Sequence, residues 1–152
     1  MMKKYIFLFS MFLSMVLASC TVSKSVISQD TDLTKYKYVT VIDNDTYRMP
    51  PELVQYQTQL YDAVGQSGLT MVSQYRMGDL TQEEQSALLI AKFGVSARQE
   101  ETVVTVNFID FNTDRPLVSC QGAYTTLGFS ANADIKGALR RVGEQISKTF
   151  NR

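Results

Sequence analysis

Residues 102–126 read TVVTVNFIDFNTDRPLVSCQGAYTT and carry the strongest β-strand pattern of the chain. Two runs rich in β-branched and aromatic residues, 102–111 and 117–126, flank residues 112–116, which are rich in turn-forming side chains. Together they predict a long antiparallel hairpin. The fold then depends on the elements that extend this hairpin and cover it.

The segment after the hairpin predicts an amphipathic helix. Residues 130–134 offer capping side chains, and apolar residues then recur at steps of three and four. These apolar positions are Ile135, Ala138, Leu139, Val142, Ile146 and Phe150. Charged residues occupy most other positions, so we expect the opposite face of the helix to lie in water.

The segment before the hairpin predicts a strand, a helix and another strand in succession. Residues 36–42 (YKYVTVI) form a strand with largely apolar residues on both faces. A helix follows from Pro50 and Pro51 to Gly68, and residues 69–72 (LTMV) form the next strand. This order indicates a right-handed parallel crossover.

A second helix is predicted between this crossover and the hairpin. Residues 81–84 (TQEE) match a capping box, and apolar residues continue behind it from Ala87 to Phe93, before Gly94. This helix would have about three turns. The complete order is β-α-β-α-β-β-α, which predicts one α/β (α+β) domain with a mixed sheet of about four or five strands covered by helices.

The amino terminus has the layout of an export signal. Lys3 and Lys4 form a basic head, and residues 5–16 are apolar or aromatic except for two serines. A membrane-spanning helix needs about 20 apolar residues, so this shorter run fits the core of a secretory signal peptide. Residues 17–20 (LASC) then resemble the lipobox of bacterial lipoproteins. The alternative is a plain signal peptide, or an uncleaved anchor with a chance cysteine.

The lipoprotein resemblance implies cleavage between Ser19 and Cys20 and a diacylglycerol on the Cys20 sulfur. Two or more acyl chains hold a protein stably on a membrane. Thr21 stands where many enterobacterial lipoproteins retained at the inner membrane have aspartate, which favours the outer membrane. The predicted division is a signal peptide (1–19), a lipidated cysteine with a flexible tether (20–35) and the α/β domain (36–152).

Composition excludes several classes of function. Without residues 1–19 the chain has 133 residues, with 13 basic and 15 acidic side chains, and this formal net charge of −2 does not suit nucleic-acid binding. The chain has no histidine, so histidine-dependent catalytic triads and zinc sites are excluded. No metal or cofactor is predicted, because none of the familiar binding motifs occurs.

Three aspartates are candidates for a small carboxylate-dependent hydrolase: Asp43, Asp45 and Asp110. Aspartates at strand ends are more commonly turn formers. The D-x-N-x-D spacing of residues 110–114 also begins like a calcium loop. Arginine and glutamine then occupy the sixth and twelfth positions, where such a loop needs glycine and glutamate, so a hairpin turn is favoured.

Tyrosines and one cysteine complete the candidates. Tyr36, Tyr38, Tyr47 and Tyr75 could contribute to a sugar- or peptide-binding surface, although core or edge positions with a hydrated hydroxyl are favoured for most of the tyrosines. Cys120 has no cysteine partner if Cys20 is lipidated. For Cys120, packing as a small buried hydrophobe is favoured over a reactive thiol.

The domain from about Tyr36 to Phe150 resembles, in the order and spacing of its elements, the small α/β module of TolB amino-terminal domains and curli-secretion lipoproteins. The resemblance rests on the strand YVTVI (38–42), the helix before Gly68, the segment 87–94, the hairpin around 112–116 and the last helix. It implies protein–protein contacts in the periplasm rather than catalysis. The chain lacks the propeller and the pore-forming hairpins of those proteins, so their functions do not carry over.

The first hypothesis is therefore a non-enzymatic, lipid-anchored envelope protein whose partners are membrane lipid, through Cys20, and an envelope protein. The second hypothesis is a peptidoglycan- or glycan-binding module that uses tyrosines. The third is the small hydrolase. The sequence assigns neither the identity of the partner nor the oligomeric state.

Overall fold

A computed structural model of the chain describes residues 22–43, 47–97, 101–125 and 131–151. The strands among these residues are β1 (Lys24–Ile27), β2 (Tyr38–Val41), β3 (Thr70–Val72), β4 (Leu88–Ala97), β5 (Thr102–Asp110) and β6 (Pro116–Tyr124). The α-helices are α1 (Gln57–Gly65), α2 (Gln82–Ser86) and α3 (Ala131–Phe150). Short 3-10 segments lie at Leu33–Lys35, Pro51–Tyr56 and Gln74–Asp79.

The strands form one mixed sheet in the order β1-β6-β5-β4-β2-β3. The predicted hairpin is confirmed, because β5 pairs antiparallel with β6, and β4 pairs antiparallel with the other side of β5. β2 lies parallel to both β4 and β3, so the predicted parallel arrangement of the two strands around α1 is also confirmed. The fold is therefore a single α/β domain, as the sequence predicts.

The main core lies between the sheet and the helices α1 and α3. α3 packs against β5, β6 and α1, and its predicted apolar face is buried at Ile135, Ala138, Leu139, Val142 and Ile146. At the end of this helix the Phe150 ring meets Phe108 of β5 edge-on, with ring centroids 4.8 Å apart. Burial of this face is the main source of stability for a helix of this kind.

The opposite face of the sheet has a smaller apolar cluster. Ile42, Ile90 and Ile109 are buried there, and Tyr47, Met77 and Phe111 pack against them. Alternation along the strand explains why β2 contributes to both faces, since Val39 and Val41 belong to the main core. The sheet is thus covered by helices on one face and by loop side chains over part of the other.

The prediction of a second helix is wrong beyond its first turn. α2 ends at Ser86, although the predicted capping box forms between Thr81 and Glu84. Residues 88–93 instead belong to β4, which pairs with β5 on one side and with β2 on the other. A central strand that is covered on both faces has a continuous apolar sequence, and periodicity does not distinguish such a run from a buried helix.

The structure also differs from the flexible tether predicted for residues 20–35. Lys24–Ile27 pairs antiparallel with β6, and the Ser28 amide donates to the Leu117 carbonyl at 2.8 Å. Residues 33–35 form a 3-10 turn capped by the Asp32 carboxylate. An edge strand needs few apolar side chains, so its polar composition resembled that of a linker. The described residues form six strands, not four or five, because β1 and β4 join the sheet.

Two glycines let α3 lie directly on β6. A Cβ atom at Gly122 would fall 2.1 Å from the Ala138 carbonyl oxygen and 2.3 Å from the Val142 amide nitrogen. A Cβ atom at Gly137 would fall 2.3 Å from the Tyr124 ring. At Gly122 the obstructing atoms are helix backbone, so a larger residue there must displace α3.

We expect Gly122→Ala to lower the free energy of unfolding by about 2 kcal/mol or more, because overpacking against backbone has no local relief. Gly65→Ala is the matched control, since no atom lies within 4 Å of the added methyl group. Urea unfolding followed by circular dichroism measures both variants. Equal stability of the two would contradict the close packing of α3 on β6.

Candidate functional site

The four candidate tyrosines lie in separate environments. Tyr36 is only 4% exposed and belongs to the main core, whereas Tyr75 is 88% exposed in the 3-10 segment after β3. Tyr38 and Tyr47 are half-buried, and their hydroxyls donate to the carboxylates of Glu84 and Asp114, respectively. These four positions do not form one exposed aromatic groove.

A buried hydrogen bond joins Tyr36 to Asp110. The Tyr36 hydroxyl donates to Asp110 Oδ2 at 2.5 Å, and Lys35 Nζ lies 3.6 Å from the same oxygen. Asp110 Oδ1 accepts from the amides of Asn112 and Thr113 and from the Thr113 hydroxyl. Both carboxylate oxygens are therefore engaged, and the turn reading of residues 110–114 is confirmed in place of the calcium loop.

The Tyr36–Asp110 contact holds a long connection in place. Residues 28–37 run from β1, at one edge of the sheet, to β2, on the far side of β4, so they pass the ends of β6, β5 and β4. Asp110 lies at the end of β5, in the middle of this path. The Lys35 ammonium, 4.6 Å from the centre of the Tyr36 ring, adds a second contact at the same point.

The pKa shifts of Asp110 and Tyr36 keep the Asp110 carboxylate charged and the Tyr36 hydroxyl protonated near neutral pH. Burial alone would raise the pKa of Asp110, but the hydrogen bonds from Tyr36 and Thr113 and the charge of Lys35 outweigh it and lower the pKa. Burial, and then the hydrogen bond to Asp110, raises the pKa of Tyr36. A carboxyl that acts as a general acid near neutral pH needs a raised pKa, so Asp110 is suited to a structural role.

A polar cleft of about 310 Å³ opens beside the network. Its charged lining residues are Asp30, Asp32, Lys35, Asp110 and Arg115. Arg115 Nη2 donates to the Ser28 hydroxyl at 2.9 Å, and Lys35 pairs with Asp110, so these two cations already have protein partners. The cleft is lined by both acidic and basic side chains, so it lacks the cluster of carboxylates that a carboxylate-dependent active site needs.

The other two candidate aspartates give no catalytic geometry. Asp43 Oδ1 accepts from the Met49 amide at 2.9 Å, and the Asp43 amide donates to the Gln74 side chain at 3.1 Å. Asp43 thus acts as a turn former, while Asp45 lies outside the described residues. No group of three or more cysteine, histidine or carboxylate side chains that could hold a metal occurs in the part of the chain that the structure describes.

Cys120 is fully buried on β6, as predicted for a small core residue. Its thiol donates to the Thr149 hydroxyl of α3 at 3.8 Å. Burial raises the pKa of the Cys120 thiol to about 11, which disfavours the reactive thiolate. The predicted lipidation and cleavage residues, Cys20 and Ser19, lie outside the described residues. None of the helices described combines the length and apolarity needed to cross a bilayer.

The described sheet has two open edges, and both carry exposed apolar side chains. At the β1 edge Val22 is 65% exposed and Val26 is 58% exposed. At the β3 edge Met71 is partly exposed, and Tyr75 follows it closely in the chain. Sequence reasoning missed the β1 edge. The available signal was weak, because residues 22–27 (VSKSVI) contain only three apolar side chains and show no regular alternation.

Comparison with known proteins supports the fold. No protein-family model matches the chain, and no curated protein matches it significantly. Among solved structures, the PelC dodecamer from Paraburkholderia phytofirmans is similar, with a TM-score of 0.51 and 15% identity over 83% of this chain and 96% of that chain. A PDZ domain protein from Parabacteroides distasonis gives a TM-score of 0.56 and 9% identity over 84% of this chain and 35% of that chain. At these identities the similarity concerns the fold alone.

We expect Asp110→Asn to be less stable than the wild type at pH 7 by about 1–3 kcal/mol, because a buried charged acceptor is lost. The pKa of Asp110 is lowered in the folded state, so its contribution is present above the unfolded pKa of about 3.9 and is lost as the pH falls through the folded pKa. The difference between the two proteins should therefore shrink below about pH 4.

Urea unfolding between pH 7 and pH 2 measures this difference. Asp62→Asn is the control, because Asp62 is exposed on α1 and is expected to change stability little at any pH in this range. A stability difference between Asp110→Asn and the wild type that does not depend on pH would contradict the proposed role of the carboxylate charge.

Proposed function

We propose that the chain is a non-enzymatic, lipid-anchored module of the bacterial cell envelope that assembles with protein partners through the edges of its sheet. The observation that carries this proposal is that, among the described residues, β1 and β3 each pair with one strand only and have exposed apolar side chains beside them. The lipobox-like sequence at residues 17–20 supports attachment to the membrane through Cys20, with the outer membrane as the favoured location.

The β1 edge has the chemistry of an association surface. An exposed edge strand offers unpaired N–H and C=O groups to another strand, and proteins that avoid such pairing usually protect the edge with charges, proline or a bulge. β1 contains one lysine and no proline, and Val26 lies exposed at its centre. An edge of this kind can accept a strand from another chain.

The β3 edge provides the second half of a head-to-tail contact. β1 and β3 are different surfaces, so joining the β1 edge of one copy to the β3 edge of the next would be a heterologous contact that propagates into a ring or a filament. The structurally similar PelC forms a dodecamer. This similarity supports a second copy of the chain as the first partner to test.

The geometry gives less support to the two alternative functions. Asp110 has a lowered pKa and satisfied oxygens, and Asp43 caps a turn, so neither resembles the acid of a hydrolase. A glycan-binding groove would need stacked, exposed rings, but Tyr36 is buried and Tyr38 and Tyr47 are half-buried, with their hydroxyls bonded to carboxylates. Assembly through the sheet edges therefore remains our proposal.

The mature, acylated protein in detergent should form oligomers in sedimentation-velocity experiments. Val26→Lys places a charge on the β1 edge and should reduce association at least tenfold, because an edge lysine opposes strand pairing. Val54→Lys is the matched control, since Val54 is similarly exposed, at 51%, but lies in the 3-10 segment before α1. Cys20→Ala should abolish labelling of the protein by radioactive palmitate.

A wild type that stays monomeric at all concentrations would contradict self-assembly. Equal association of the Val26→Lys variant and the wild type would show that the β1 edge is not the contact. Palmitate labelling of the Cys20→Ala variant at the level of the wild type, or no labelling of the wild type, would contradict lipid anchoring through Cys20.

A further inference from the structure

We infer that the domain stands directly on the phospholipid headgroup surface, with one particular end of its sheet against the lipid. This inference rests on the proposed acylation of Cys20 and adds the orientation of the domain. It follows from the position of β1, because a strand that begins at Lys24 leaves almost no chain between the lipid and the fold. A tether that reached residue 35 would allow the domain to move freely.

The short chain between Cys20 and the first residue attached to the sheet limits the distance between the domain and the membrane surface. Two residues lie between Cys20 and Ser23, and the three peptide units that join these positions span at most about 11 Å in any conformation. The Ser23 hydroxyl accepts a hydrogen bond from the Ala123 amide of β6 at 3.1 Å, so Ser23 is already attached to the sheet. The point where acyl chains would enter the bilayer is therefore within about 11 Å of the folded domain.

The strand register shows which end of the sheet lies nearest to Cys20. β1 begins at the end where β6 finishes, β5 starts and β4 finishes, since Thr102 is paired with both Tyr124 and Ala97. α3 also starts near this end, with Gly137 against the Tyr124 ring. We call this the anchor end, defined by Ser23, Ala97, Thr102 and Tyr124. The turn end, defined by residues 110–115 and the connection 28–37, lies at the other end of the hairpin.

The two ends are well separated. The nine residues of β6 span about 27 Å from the turn end to the anchor end, at about 3.4 Å per residue. A domain standing on its anchor end thus holds the turn at residues 111–113 far from the lipid. A domain lying on its β1 edge would bring both ends to the surface and would cover the edge that we propose for assembly.

The charge distribution favours the upright orientation on an anionic phospholipid surface. Lys24 and Lys136 are exposed at or near the anchor end, with Glu101 and Asp134 as half-buried acidic neighbours. The turn end exposes three carboxylates, those of Asp30, Asp32 and Asp114. Of its cations, Lys35 and Arg115 contact Asp110 and Ser28, and Lys37 is exposed. Anionic lipid attracts lysines that approach it and repels carboxylates.

Fluorescence quenching by lipid tests this orientation. A thiol-reactive fluorophore is attached to Ser96→Cys, exposed on β4 beside the anchor end, or to Asn112→Cys, exposed in the hairpin turn. Labelling is selective because Cys120 is buried and Cys20 would carry the lipid. The acylated proteins are placed in phosphatidylethanolamine–phosphatidylglycerol vesicles that contain headgroup-nitroxide lipid. We expect several-fold stronger quenching at position 96 than at position 112.

A linker variant provides the control. Insertion of about 15 glycine and serine residues between Thr21 and Val22 should remove the difference in quenching, because such a segment behaves as a flexible coil. Equal quenching at the two positions without the insertion, or stronger quenching at position 112, would overturn the orientation. Vesicle flotation is measured in parallel. Failure of the acylated protein to float would instead overturn the proposed anchor itself.

Discussion

Pairing of β1 with β6 is the interaction on which the rest of the structure depends. Bonds at both ends of the pairing, from Ala123 to the Ser23 hydroxyl and from Ser28 to Leu117, attach the start of the domain to the strand that α3 covers. The chain must then pass the ends of three strands to reach β2. The buried Tyr36–Asp110 hydrogen bond holds that passage against the hairpin turn. Edge pairing thus determines both where the chain enters the fold and how it crosses the sheet.

The same pairing connects the fold to the proposed role. Strands that stand on a membrane direct their edges sideways, along the plane of the bilayer, where other copies or envelope proteins are found. In this arrangement Val26 on the β1 edge and Met71 on the β3 edge would face lateral neighbours. The polar turn end would face away from the lipid. Anchoring and assembly then use different parts of one sheet and do not compete.

Those elements whose sequence signals lie within a few neighbouring residues could be predicted from the sequence. The hairpin, the α3 helix and the capping box at Thr81 each carry their signal within a few residues, and all three are confirmed. The sequence of β4 predicts a helix because a strand between two neighbours is apolar throughout, and that of β1 predicts a tether because its pairing partner lies far along the chain. The Tyr36–Asp110 contact, across 74 positions, is equally non-local, so the sequence leaves both a surface and a core position open for Tyr36, and the structure buries it.

Amide hydrogen–deuterium exchange tests most directly whether residues 24–28 pair with β6. Backbone amides that are hydrogen-bonded within a sheet exchange slowly, while those of a flexible linker exchange at the rate of an unfolded chain. The structure predicts that amides directed at β6, including that of Ser28, exchange far more slowly than an unfolded chain. Exchange of the whole segment at the unfolded rate would contradict the account.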